Sequence, residues 1–455
     1  MQVFHVVAFT KQNTEPTFNV MTKKHFRAAI ALTLMATTLA GCGSSSNNAD
    51  TPEPVVCPVT TPTSLELTRS ELEMVKASNN FAFNLFSAAQ DEEKSQILSP
   101  ISIIYALGML NNGATGDTQQ QINRALGFGD AGADSINNFC YKMLNMAPTL
   151  EPQAKVSIAN TIYVNQPYIL NPDFIAKAKT FYNAEPESRD FHDGRTTDVI
   201  NQWASDHTEG MIQKVVDANT FNPDAVSYLL NVIYFKGMWD AKFNKEETKN
   251  MLFNQAGKSP EMMKRPMMHQ TAEFKYAEDD NYQALILPYA HSAEGEEQGG
   301  NRAMQMTVLL PKSKEAIVKY MLPKVPTVDT WKKLNLHMRS TRVDVLLPRF
   351  ETDTDLDLKP IMQKLGMTDA FNSQQASFPN FCNRETHIDM IKQVAKIKLD
   401  EEGTEAAAVT VIGVNTTAMP DLQPIITFHA DHPFIYVISE QQTGAIFFIG
   451  QYTGN

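Results

Sequence analysis

Residues 401–417 read EEGTEAAAVTVIGVNTT. Ala406, Ala407 and Ala408 favour a helix. Val409, Thr410, Val411 and Ile412 favour a strand. A segment whose local preferences disagree in this way marks a functional site more often than a plain structural element. Written as a strand, it sorts into two faces, because successive side chains alternate. Thr404, Ala406, Ala408, Thr410, Ile412 and Val414 share one face, which is uncharged and begins with small groups. Glu405, Ala407, Val409, Val411 and Asn415 share the other. Gly403 lets the backbone turn sharply just ahead of them.

The flanking sequence gives the fold class. Ser99 suits a helix cap and Pro100 a first turn, and the apolar run that follows breaks at Gly113. Further helical patterns cover 117–126 and 198–216. Leu229–Phe235 is a continuous apolar run, as a strand buried on both faces requires, and Met304–Leu310 and Val343–Leu347 read alike. Near the end, 434–438 and 445–449 flank a polar turn and read as a buried hairpin. Helices early and strands late make an α+β class. There is no internal repeat and no boundary between 67 and 455.

The first 66 residues differ in texture. Lys23, Lys24 and Arg27 precede a short apolar core at 28–40, the layout of a secretory signal. Leu39-Ala40-Gly41-Cys42 is similar to a bacterial lipobox, which implies that Cys42 is lipidated and becomes the mature N-terminus. Residues 1–20 read as an extension upstream of a start at Met21. Residues 21–42 read as the signal, 43–66 as a polar Ser/Pro/Thr tether, and 67–455 as one folded domain. The expected location is an exported lipoprotein of the cell envelope, anchored in the outer membrane.

Composition excludes some partners. The net charge of −12 and the lack of any basic run argue against nucleic acid. The four cysteines form no Cys-x-x-Cys pair. Gly257-Lys258-Ser259 resembles the end of a phosphate loop, but Leu252 occupies the place of its first glycine, so it reads as a turn. His429 and His432 are two histidines, too few for a metal site, and read as strand-entry residues. No spacing selects a catalytic pair, so no enzyme, metal or cofactor is expected.

The opening stretch resembles the hinge and reactive-centre loop of serpins, the serine protease inhibitors. The match continues through Ser99-Pro100, Asn201-Gln202-Trp203 with Thr208-Glu209-Gly210, and Leu229 to Trp239. It goes on through Pro266-Met267-Met268, Leu287-Pro288-Tyr289, Pro348-Arg349-Phe350, Leu365-Gly366-Met367 and Phe428 to Phe434. The resemblance implies three β-sheets, about eight to nine helices and an exposed loop. It makes Glu401, Glu402, Gly403, Thr404, Glu405, Ala406, Ala407 and Ala408 the hinge, and Thr417–Ala418 the bond attacked, with Thr416–Thr417 and Ala418–Met419 as the alternatives. Ser99, Ser102, Asn231 and Gln393 would form a polar network at the centre of the main sheet. Members often carry histidine where this chain has Gln393, so the network would lack a group titrating near neutral pH.

The implied function is suicide-substrate trapping of serine proteases, with cysteine proteases as a second class of target, by a monomer. A protease cuts the loop, the acyl-enzyme forms, and the loop inserts before hydrolysis. The small, uncharged residues around Thr417 favour elastase-like or subtilisin-like enzymes. The alternative is a non-inhibitory member that binds rather than traps. On this reading Thr404→Arg blocks insertion while leaving the uncut protein's unfolding almost unchanged.

Overall fold

The computed structural model describes residues 66–146, 154–257, 262–290, 304–313, 316–318, 322–404 and 424–455. Cys42, Cys57, Glu405, Ala406, Ala407, Ala408, Thr417 and Ala418 lie outside them.

Helix α1 (Arg69–Ala89) starts where Thr68 can cap it. The Thr68 hydroxyl accepts from Glu71 N, and the Glu71 carboxylate accepts from Thr68 N, so two free amides are satisfied reciprocally. Helix α2 (Pro100–Asn111) begins at the Ser99 cap and is buried on every side, as its largely apolar composition demands. Helices α3 (Gly116–Leu126), α4 (Ala133–Met146) and α5 (Pro172–Tyr182) pack nearby, followed by α6 (Thr196–His207), α7 (Val328–Leu336) and α8 (Lys359–Lys364). None of the described helices is long and apolar enough to cross a membrane. Cys140 and Cys382 are buried free thiols.

The helical pattern over 198–216 is cut short at His207. Glu209 and Gly210 both take positive φ, which ends the helix. Thr208 Oγ1 donates to Ala204 O and accepts from Ile212 N, fixing the turn. Beyond it, Asn201 reaches forward and satisfies an irregular segment: its Oδ1 accepts from Val215 N (2.7 Å) and Val216 N (3.0 Å), and its Nδ2 donates to Val216 O. Ile212, Val215 and Val216 are thereby held in the apolar layer under α6.

The strands join into two hydrogen-bonded networks. In the six-stranded sheet the order is β10 (Phe350–Asp357), β11 (Met390–Asp400), β12 (Gly403–Thr404), β4 (Ser227–Met238), β2 (Ala154–Asn165) and β3 (Glu187–Arg189). The second runs β1 (Gln96–Leu98), β15 (Ile446–Tyr452), β14 (Phe434–Glu440), β8 (Met304–Pro311), β7 (Tyr282–Pro288), β6 (Met262–Glu278), β9 (Arg339–Pro348) and β13 (Ile426–His429), with β5 (Lys249–Asn254) beside β6. Three separate sheets are expected from the resemblance. Here the second and third are continuous, because the 17-residue β6 is long enough to pair with β5, β7 and β9.

The central strand of the six-stranded sheet, β4, is buried on both faces. Along β4, Leu229, Ile233 and Phe235 enter the large core shared with α2, while Tyr228, Leu230 and Val232 face the smaller cluster containing Ile200 and Ala204 of α6. The unbroken apolar run in the sequence follows from this double burial.

Replacing Asn201 with alanine strands two amides in the segment after α6. Denaturant unfolding of Asn201→Ala is expected to show a loss of about 1–3 kcal/mol, with the slope against denaturant unchanged.

Candidate functional site

The site is the seam between two parallel neighbours. β11 pairs with β4 from Met390 with Tyr228 to Lys396 with Tyr234. Above that point the strands part, and β12 lies between them. Thr404 stands level with Leu399 on one side and Gly237 on the other, and Gly403 with Asp400 and Met238.

Backbone geometry makes Gly403 obligatory. Its φ is +149°, and a Cβ there would lie 2.1 Å from the Gly237 carbonyl oxygen. Gly237 is constrained in turn, since a Cβ on it would meet the Tyr289 ring at 2.8 Å. Thr404 is fully buried, and its hydroxyl shares a hydrogen bond of 2.9 Å with Tyr289 OH. Tyr289 stacks on Trp239 with ring centroids 4.8 Å apart, and Phe235 packs edge-on against it. Burial pushes the Tyr289 phenol far up, so it acts as a hydroxyl at any ordinary pH. Thr404 thus meets a preformed aromatic platform with one polar handle.

The two glutamates ahead of the glycine are stapled down. Glu401 and Glu402 are only 2% and 6% exposed. The Glu402 carboxylate meets Lys245 Nζ at 2.7 Å and Lys242 Nζ at 3.3 Å. Glu401 accepts from Thr248 Oγ1 at 2.8 Å and faces Arg349 at 3.6 Å. Their carbonyls accept from Trp239 N and Phe243 N. Burial pushes the Glu402 carboxyl up, but Lys245 and Lys242 more than reverse this and hold it below the ordinary value. The sequence offered no sign of these cations, since they come from the turn after β4 and the end of β9.

Lower in the same seam, Ser99, Ser102, Asn231 and Gln393 meet. Gln393 Nε2 donates to Ser99 O (3.1 Å), Ser102 Oγ (2.9 Å) and Asn231 Oδ1 (2.6 Å), while its Oε1 accepts from Ser99 N (3.0 Å). Ser102 Oγ donates to Asn231 Oδ1. Asn160, which sequence reasoning missed, extends the set: its Oδ1 accepts from Asn231 Nδ2 at 2.7 Å. Gln393, Asn231 and Asn160 stand level on β11, β4 and β2, so three amides form a row across the sheet above the cap of α2. A lone asparagine inside the otherwise strand-like run at 156–164 was the signal available. All four predicted members are buried, and none of them titrates near neutral pH.

Comparisons with known proteins agree with this arrangement. The family described as Serpin (serine protease inhibitor) matches residues 76–454. Serpin B8 of Homo sapiens is 32% identical over 391 residues, covering 84% of this chain and 99% of that protein. Neuroserpin of Gallus gallus is 30% identical over 385 residues, covering 81% and 88%. Among solved structures, the thermophilic serpin tengpin in its native state is similar with a TM-score of 0.74 and 26% identity, covering 84% of this chain and 94% of tengpin. Human thyroxine-binding globulin complexed with thyroxine is similar with a TM-score of 0.72 and 25% identity, covering 84% and 98%. The matched span takes in the seam, the hinge and the amide row alike, and the chain belongs to the serpin family.

Proposed function

We propose that this serpin inhibits serine proteases as a suicide substrate, its cut loop inserting between β11 and β4. The observation that carries the reading is the seating of Gly403 and Thr404 in the mouth of that seam, in register with both walls. Continuing the register downwards sets residues 405–414 against 227–236 of β4. Ten inserted residues, at about 1 kcal/mol net per hydrogen bond, release on the order of 10 kcal/mol, enough to drag and distort a bound protease. The same register brings Thr410 level with both Gln393 and Asn231. Insertion must break the 2.6 Å bond between those two amides. The Thr410 hydroxyl arrives where it replaces that bond, which lowers the cost of parting the sheet.

Mixing the protein with an elastase-like or subtilisin-like protease should give an SDS-stable adduct of higher mass. A loop that is merely cleaved, with no adduct from any protease tested, refutes trapping and favours a binding member, as thyroxine-binding globulin is by its description. Thr404→Arg should convert inhibitor to substrate, because the charge has no partner beside Tyr289 and costs several kcal/mol to bury. The sequence alone predicts little effect on the uncut protein. The buried Thr404 corrects that: the hinge must leave the seam to accommodate arginine, so the unfolding midpoint of the uncut form should shift as well.

We place the attacked bond at Thr417–Ala418. Counting the first hinge glutamate, Glu401, as one makes Thr417 the seventeenth residue, the usual position in the family. Thr417→Arg should then redirect inhibition towards trypsin-like enzymes by at least about a hundredfold, since their pocket demands a cation. Unchanged preference, with cleavage mapped elsewhere by mass spectrometry, rejects the assignment.

We also propose that Cys42 carries the lipid that tethers the domain to the outer membrane. The support is the Leu39-Ala40-Gly41-Cys42 pattern after a signal-like stretch. Cys42→Ala should move the protein from the membrane fraction to the soluble one; a wild type already soluble and lipid-free ends the idea.

A further inference from the structure

A sheet edge presents a row of unpaired N–H and C=O groups, and most edges of this molecule are blunted. β1 and β3 are three residues long and β13 is four. β10 runs for eight, but Glu351, Asp353, Asp355 and Asp357 project from it into solvent. β5 is the exception. It pairs with β6 alone, runs for six residues and carries a charge only at its first, Lys249. Met251 and Leu252 at its middle are 42% and 50% exposed, and Met262 and Met263 of β6 beside them 58% and 40%. Four of the ten large apolar side chains exposed among the described residues sit on this ribbon, so apolar exposure is concentrated at an open edge.

The free backbone groups on that edge are few. Asn254 N–H points away from β6 and donates to the Asp431 carbonyl at 2.7 Å. Backbone direction alternates along an antiparallel strand, so Asn250 and Leu252 point the same way, while Lys249, Met251 and Phe253 bond to β6 opposite Met267, Arg265 and Met263. Among the described residues nothing bonds the N–H or C=O of Asn250 or Leu252. These two donors and two acceptors are bounded by Asn254, already used, and by Thr248, whose N–H donates to Lys245 O.

We propose that a second copy of this chain covers the edge, β5 pairing antiparallel with its own counterpart about a two-fold axis through Met251. The occupant is a copy because the open groups match themselves. With Met251 opposite Met251 of the second copy, each Asn250 faces the other copy's Leu252, and every open donor and acceptor on both strands is bonded. Moving the axis by one residue fails either way. Centred on Leu252, it sets Asn250 against Asn254, whose N–H is taken. Centred on Asn250, it sets Leu252 against Thr248, taken likewise. The matching register also places Lys249 opposite Phe253, so no lysine directly faces another. Leu252 and Met262 share one face of the ribbon and Met251 and Met263 the other, and all four lie beside the new strand pair. The interface is small, which makes the dimer weak and reversible. It replaces the monomer that the family resemblance implies, and it does not depend on the trapping reading.

The test uses the full chain carrying Cys42→Ala and Cys57→Ala, which leaves only the buried Cys140 and Cys382 thiols. Sedimentation equilibrium should show a micromolar-to-millimolar monomer–dimer equilibrium and no larger species, since a two-fold edge pairing closes on itself. Met251→Lys sets two like charges directly opposite and should weaken the dimer about tenfold or more, with the unfolding midpoint unchanged. Leu336→Lys, at an apolar side chain 82% exposed on α7, should leave association as it was. Under mild oxidation Met251→Cys should cross-link on non-reducing gels, because directly opposed Cβ atoms lie about 4.5–5.5 Å apart. Leu252→Cys should not, since the two copies of that residue are diagonal neighbours about 7–8 Å apart, too far for a disulfide. A monomer mass alone up to about 1 mM overturns the proposal. So do species that keep growing with concentration, cross-linking through Leu252→Cys rather than Met251→Cys, or equal weakening by Leu336→Lys.

Discussion

Two strands that run parallel and bond well for seven residues are forced apart at one end, and the rest of the molecule is arranged around that wedge. The pairing of β11 with β4 stops at Lys396 and Tyr234, and Gly403 and Thr404 occupy the fork. A parallel pair left open at the top exposes unpaired backbone groups, which are costly when buried. The hinge covers only the first of them. What remains below is a seam closed by its own ladder and by the amide row, stable until a longer strand competes for the same donors and acceptors. On the proposed insertion, the fold stores work in this way: the better hydrogen-bonded arrangement is reached only by unzipping a good one.

The residues round the fork divide the labour by chemistry. An aromatic stack of Trp239, Tyr289 and Phe235 supplies a rigid wall that cannot follow the loop. Glycine at 237 and 403 lets two backbones approach more closely than side chains permit. Neutral amides at Gln393, Asn231 and Asn160 bridge the seam with bonds that are directional and exchangeable, so they can be broken and remade without moving a charge. Charge is kept to the rim, at Glu401 and Glu402.

Local rules reached the elements whose pattern is local. The Ser99-Pro100 cap, the apolar run of β4 and the closing hairpin follow from propensity and periodicity, and the structure has them at Pro100–Asn111, Ser227–Met238, Phe434–Glu440 and Ile446–Tyr452. The helix ending early at His207 was not legible by periodicity, since apolar spacing continues to Val216; the side chains of Asn201 and Thr208 decide it through bonds to backbone. The meeting of Ser99, Ser102, Asn231 and Gln393 came from family likeness, whereas Asn160 needed the strand register to be found. The partners of Glu401 and Glu402, and the union of His269, Asp344 and His429, join segments up to 160 residues apart that no spacing rule connects. His429 looked like an ordinary strand residue because nothing nearby in the chain hints at Asp344.

The buried glutamate pair also has a bearing on ionic strength. Lys245, more than half exposed, holds Glu402 from the solvent side, whereas Lys242 does so from cover. Dissolved ions weaken a salt bridge with a solvent-exposed partner, and a covered one far less. The outer tie weakens as salt rises while the inner tie persists. The docking of Glu401 and Glu402 therefore has a salt-sensitive fraction and a salt-resistant remainder, and the segment is seated with different firmness in a brine and in a dilute medium.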